Sequence, residues 1–172
     1  GSYRVPDSPS QVETRMPRNP SQALRRTAYH EAAHAVLAVL LKGGLRKVTI
    51  IPTDETSGLC SVSCVPPRDP AKQEGWLQRQ AMIRLAGVVA ENRITGKWWW
   101  SRASHDNEAI FQMAFAVGCD WEQASRFRSG MLEATREFVN LPDIWSLVET
   151  VAAALIEEGT LTAKQVRGLC RI

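Results

Sequence analysis

His30, Glu31 and His34 form a His-Glu-x-x-His group that uses two of the three histidines in the chain. On a helix, residues four apart lie about one turn apart on one face, so both imidazoles can meet a single ion. Glu31 then stands to one side, close to the ion without ligating it, where a base acting on a water molecule is needed. Zinc suits this set, because its catalytic sites combine imidazole ligands with an open position.

A five-residue pattern with two free positions also arises by chance, and a chance match usually lacks the helix. Here the flanks supply one. Asn19 suits an N-cap, Pro20 suits the first helical position, residues 21–42 contain no breaker, and Gly43-Gly44 ends the run. The stretch Ala35-Val36-Leu37-Ala38-Val39-Leu40-Leu41 is apolar all round, the pattern of a helix buried on most sides. Two histidines and a glutamate therefore enter a core, where an unpartnered ionised carboxylate costs on the order of several kcal/mol. A structural role would have to find Glu31 a partner, whereas a metal centre accounts for all three side chains at once.

Three residues downstream have the chemistry to complete such a centre: His105, Glu91 and Asp106. Composition does not choose among them. Ser104-His105-Asp106-Asn107-Glu108 reads as a helix start, with Ser104 as cap and the helix running to 117. Asp106 then lies in the first turn, where the macrodipole favours an ionised carboxylate, although acidic residues are common at helix starts in any case. Neighbours on a helix diverge by about 100°, so His105 and Asp106 do not share an ion, and whichever does not ligate faces away.

The elements that must hold these groups can be read from the rest of the chain. Residues 46–52 are β-branched and stopped by Pro52, 53–57 form a polar turn, and 58–65 alternate apolar and polar up to Pro66-Pro67. This predicts two adjacent strands, the second near a sheet edge where an extended peptide could add as a further strand. Asp69-Pro70 opens a helix to 94 that stops at Gly96. Trp98, Trp99 and Trp100 follow in a loop, and three successive indoles cannot all enter one core, which leaves a partner-facing patch or a lid. Helices are expected over 120–140, 142–158 and 162–169 as a supporting bundle, with Gly130 as a bend and Gly159 as a stop.

At 172 residues the chain fits one domain, expected over 20–172, preceded by a Ser- and Pro-containing flexible arm over 1–19 whose Gly1-Ser2 reads as a cloning remnant. The net charge of +3 comes from 21 basic and 18 acidic residues without a basic block, so nucleic acid is not an expected partner. No apolar run approaches the roughly 20 residues of a membrane span, and no signal peptide is visible. The four cysteines, Cys60, Cys64, Cys119 and Cys170, are scattered as in a reduced protein, and the expected setting is cytoplasmic. Cys60 and Cys64 on one extended strand would lie about 13 Å apart, too far for a disulfide or a shared zinc.

Taken together, these stretches resemble the peptidase domain of the FtsH-type ATP-dependent zinc metalloproteases over residues 24–169. Thr27-Ala28-Tyr29-His30-Glu31-Ala32-Ala33-His34 resembles that family's signature, Lys47-Val48-Thr49-Ile50-Ile51-Pro52 the strand after it, and Leu85-Ala86-Gly87-Val88-Val89-Ala90-Glu91 its Gly- and Ala-rich helix. Ala103-Ser104-His105-Asp106 resembles the segment that carries the third zinc ligand. The resemblance implies His30, His34 and Asp106 as ligands of Zn2+, Glu31 as catalytic base, and a mainly α fold with a small β-sheet (α+β), zincin-like. It further implies a zinc-dependent endopeptidase that hydrolyses peptide bonds in flexible or unfolded protein segments.

Ala33 stands where the family carries glycine. The family also has an ATPase module and transmembrane helices, and neither is read here. Gly96-Lys97 is no P-loop, because Glu91 occupies the position of the first glycine and Trp98 that of Ser or Thr. A separate ATPase or self-association is the corresponding expectation for partners. The alternative is a non-catalytic relative that binds a peptide or a partner, but such a module gains nothing from the base Glu31.

Overall fold

The computed structural model describes residues 20–101 and 103–172. The expected arm over 1–19 and the Asn19 cap lie outside the described residues. The first helix, α1 (Gln22–Leu40), starts after Ser21, whose hydroxyl accepts the Leu24 N–H at 3.1 Å. Pro20 thus precedes the helix instead of opening it, because the Ser21 hydroxyl caps the first free N–H groups. The helix also closes before the glycines: Lys42 takes a left-handed φ of 54°, and the Gly43 N–H donates to the Ala38 carbonyl at 2.7 Å. That turn satisfies the last carbonyls and redirects the chain into the sheet.

α1 is the centre of the molecule. Residues 30–38 are all buried, and Ala28, Ala32, Ala33 and Ala35 are fully so. Their short side chains let α2 (Pro70–Thr95) and α5 (Pro142–Glu158) pack closely against it. The core around it gathers Val36, Leu37, Val48, Val89, Val148, Val151 and Leu155. Asp69 caps α2 by accepting the Ala71 N–H at 3.0 Å, and Gly96 ends it with φ 71°. The boundaries of α2 follow the Asp-Pro start and the glycine stop read from the sequence.

The sheet has three strands in the order β2-β1-β3. β1 (Leu45–Thr49) is central and pairs antiparallel with β2 (Leu59–Val62), with Val48 opposite Cys60. β3 (Thr160–Thr162) pairs along the other side, with Val48 opposite Leu161. The second strand is at the edge as expected, but it is shorter than 58–65 and leaves Cys64 beyond its end, exposed. β3 has no counterpart in the sequence reading. Three residues between a helix stop and a helix cap are too few to show a period, and pairing with β1 alone makes them a strand.

The remaining helices are α3 (Ser104–Ala116), α4 (Trp121–Val139) and α6 (Ala163–Cys170). Ser104 is the first residue of α3 and not its cap: Ala103 occupies the cap position, with no side-chain hydrogen bond. α4 runs through Gly130 without interruption behind a capping box of Asp120 and Gln123. A second cluster, with Leu77, Ala81, Leu85, Ile110, Met113 and Ala124, seals α2, α3 and α4 together. α3 is thereby fixed against the same helix that packs on α1, which brings Asp106 toward the histidines. The architecture is mainly α with a small β-sheet. Among the described residues, no single helix is long and apolar enough to cross a membrane.

Candidate metal centre

His30 and His34 face the same side of α1, their ring centroids 4.6 Å apart and their planes nearly perpendicular. Each ring is held at its Nδ1. His30 Nδ1 lies 2.6 Å from Glu91 Oε1, and His34 Nδ1 lies 2.6 Å from the Ile83 carbonyl oxygen, both from α2. A carbonyl only accepts, and so does an ionised carboxylate, so both Nδ1 atoms are donors. In the neutral imidazoles this leaves the lone pairs on Nε2, the tautomer that metal-binding histidines present when an oxygen fixes the other nitrogen.

Both Nε2 atoms meet the Asp106 carboxylate from the first turn of α3: Oδ2 lies 3.6 Å from His30 Nε2 and 3.4 Å from His34 Nε2. One ligand atom from each of the three residues lies within 4.8 Å of the others. For a tetrahedral ion bound at about 2.0–2.1 Å, donor atoms stand roughly 3.3–3.4 Å apart, so this donor set fits zinc in both chemistry and spacing.

The electrostatics favour a cation at the same point. Burial works against a charged His30, but hydrogen bonds to Asp106 and Glu91 and the charges of Glu31 and Asp106 raise its pKa to about 10. Burial also works against an ionised Asp106, yet the two histidines outweigh it and hold the carboxyl far below the usual carboxylate range. Glu31 differs. Burial is the largest influence and raises its pKa above the ordinary glutamate value, with the histidines opposing. A carboxylate made more basic beside a cation site is suited to accept a proton.

The three side chains and Glu31 line one cleft of about 800 Å3. β2 lines it through Leu59, Cys60 and Val62, and Ser101, Ser104 and His105 border it from the start of α3 and the loop before it. His105 is exposed there while its neighbour Asp106 turns inward, the divergence that adjacent helical positions require. Of the three candidates for a third donor, Asp106 is the one whose oxygen joins the two Nε2 atoms. Glu91 stands behind His30 instead, fully buried, with Arg26 Nε 3.7 Å from its Oε2.

Several supporting residues were not legible as such in the sequence. A Cβ at Gly87 would lie 2.5 Å from His30 Nε2, so only glycine admits the imidazole there. A Cβ at Gly58 would lie 2.9 Å from Glu31 Oε1 and from Thr27 Cγ2, so the turn before β2 is pressed onto the base. Arg84 on α2 reaches Asp106 Oδ1 at 3.5 Å. One signal was available. Gln80, Arg84, Gly87 and Glu91 recur at spacings of four, three and four, a stripe that puts polar residues and a glycine on one helix face.

The tryptophans are not a lid. Trp98 and Trp100 stack at 5.2 Å, Arg128 of α4 sits 4.4 Å over Trp100, and Arg26 of α1 sits 4.3 Å over Trp99. No tryptophan lines the cleft among the described residues. The indoles form a cation–π ladder that ties the loop before α3 to α1 and α4. Cys60 lines the cleft wall but does not join the donor set. Burial pushes the Cys60 thiol well above its ordinary pKa, which opposes the thiolate that metal binding needs.

Comparison with known proteins places the chain among relatives of one family. An ATP-dependent zinc metalloprotease FtsH from Protochlamydia amoebophila is 34% identical over 107 residues, covering 59% of this chain and 11% of that protein. The ATP-dependent zinc metalloprotease FtsH 3 of Conexibacter woesei is 39% identical over 75 residues, 42% of this chain and 10% of its own length. The ATP-dependent zinc metalloprotease YME1 homolog of Schizosaccharomyces pombe is 28% identical over 138 residues, 76% of this chain and 19% of that protein. The chain thus matches only a small part of each relative's length. The sequence model of peptidase family M41 matches residues 19–137, a span that contains the His-Glu-x-x-His helix, the β2 wall and Asp106. With its helix, its converging donor set and more than half its length matched, the chain belongs to peptidase family M41.

Proposed function

We propose that the chain is a zinc-dependent endopeptidase that hydrolyses peptide bonds in flexible or unfolded protein segments. The observation that carries the reading is the convergence of His30 Nε2, His34 Nε2 and Asp106 Oδ2 beside Glu31 in a cleft walled by an edge strand. His30, His34 and Asp106 would hold the ion. Zinc bound there supplies Lewis acidity, which makes water nucleophilic at neutral pH and polarises a carbonyl.

The protein's own groups do the rest. Glu31 accepts a proton from the attacking water and returns it to the amine that leaves, the task its raised pKa suits. Glu91 and the Ile83 carbonyl keep both imidazoles in the productive tautomer. The Ser63 N–H donates to the Gly44 carbonyl at 3.1 Å, so by strand alternation the backbone polar groups of Val62 point to the open side of β2. An extended substrate segment would pair with that side, and a folded one would not.

The test is Glu31→Gln, which preserves size and polarity and removes basicity. Zinc content should stay stoichiometric while cleavage of a flexible peptide falls by about 100-fold or more. Normal turnover in that variant would remove Glu31 from the role of base. A wild-type protein that bound zinc but cleaved no flexible peptide would favour a binding module.

A further inference from the structure

We propose that Arg84 is a positioning residue for Asp106, holding Oδ1 so that only Oδ2 is presented to the ion. The inference rests on the reading above that His30, His34 and Asp106 hold zinc. Arg84 lies on α2 two turns before Glu91, on the same face. Its two terminal nitrogens have separate duties. Nη1 lies 3.5 Å from Asp106 Oδ1, and Nη2 donates to Cys64 Sγ at 2.9 Å, just beyond the end of β2. Oδ2 of the same carboxylate faces His30 Nε2 and His34 Nε2.

A carboxylate free to turn about its last bond offers either oxygen, or both, to a cation. The planar guanidinium opposes that motion, because its plane is pinned at the far end by the sulfur and at the near end by Oδ1. The Arg84 and Asp106 side chains are only 23% and 15% exposed, so water does not readily take over the contact between them. Arg84 also borders both the metal cleft and a neighbouring cavity of about 350 Å3 lined by Cys64, Trp76 and Met113. It forms the partition between them. An ammonium in its place would carry the same charge but could not span both contacts in one plane.

Charge and position predict opposite outcomes. A guanidinium close to a divalent cation repels it, so if Arg84 acted through charge alone, its removal would tighten zinc binding. If it acts by fixing Asp106, its removal weakens binding even though a repulsive charge has gone. The experiment measures zinc affinity by competition with a chelating dye, and the visible spectrum of the Co2+-substituted protein, for wild type, Arg84→Met and Arg84→Lys. Retained helix is checked by circular dichroism.

Arg84→Met should bind zinc about 10- to 100-fold more weakly. Its Co2+ bands should shift in position and intensity as the carboxylate turns, and Arg84→Lys should recover part of both. A folded Arg84→Met with zinc affinity equal to or tighter than wild type, or with an unchanged Co2+ spectrum, overturns the proposal. Should Arg84→Met fail to fold, Arg84→Lys decides alone: weaker zinc binding with the charge intact supports positioning, and wild-type affinity refutes it. Failure of the wild-type protein to bind zinc would instead strike the metal reading itself.

Discussion

At Gly87 two effects of one methyl group oppose each other. Alanine inside a helix is favoured over glycine by about 0.8–1.0 kcal/mol, so Gly87→Ala should strengthen α2 on its own. The added Cβ, however, would sit 2.5 Å from His30 Nε2, the atom that faces Asp106. The imidazole would have to leave its place. Gly87→Ala is therefore expected to retain helicity in the presence of a chelator while losing most of its zinc affinity, measured by dye competition. A variant that kept its zinc would show that the ring can retreat without cost. Glu91 belongs to the same scale. It is one of three candidate ligands in the sequence, and the structure gives it the Nδ1 of His30 to hold instead, at 2.6 Å.

Between elements, the donor set joins α1 to α3, two helices that otherwise meet chiefly through α2. An ion held by both acts as a clasp present only in the folded state. At free zinc about 100 times its Kd, the stabilisation is about 2.7 kcal/mol, and for a domain of this size each kcal/mol moves the melting temperature by about 2–4 °C. Calorimetry with and without a chelator should show a shift of roughly 5–10 °C, and Asp106→Ala should abolish that shift. The edge strand allows a second test. Val62 presents its N–H to the open side, so Val62→Pro removes no bond of the β1–β2 ladder. Peptide affinity should fall by more than zinc affinity does. Parallel loss of zinc, peptide and thermal stability would mean that the sheet itself had been broken.

For the whole molecule, the proposed activity is bounded by the shape of the cleft. One wall is the edge strand β2, which on the proposed reading takes extended backbone, and Gly96-Lys97 is no nucleotide-binding loop that could drive unfolding. The chain by itself is thus expected to degrade a flexible protein such as casein, to lose that activity with chelator, and to leave a stably folded protein intact over the same period. Gel assays of both substrates side by side provide the check. Cleavage of the folded substrate at a comparable rate would require an opening mechanism that these residues do not supply. The relatives are ATP-dependent by name and far longer than the part matched here.

The His-Glu-x-x-His group on a helix was determined by sequence alone, because spacing and flanking propensity are local properties. The same holds for α2, whose Asp-Pro start and glycine stop are local signals, and for the burial of α1, which follows from residues apolar all round. Other features needed the folded chain. The β3 strand exists through pairing with β1, and the start of α1 was decided by the Ser21 hydroxyl. The convergence of Asp106 with the two histidines depends on α3 packing against α2, about 70 residues from α1 in sequence, and no local pattern specifies that meeting. Gly87, Arg84, Glu91 and the Trp99–Arg26 stack owe their places to the same packing. Ligand identity was visible in residue type and spacing, whereas what holds each ligand in position arises from contacts between segments distant along the chain.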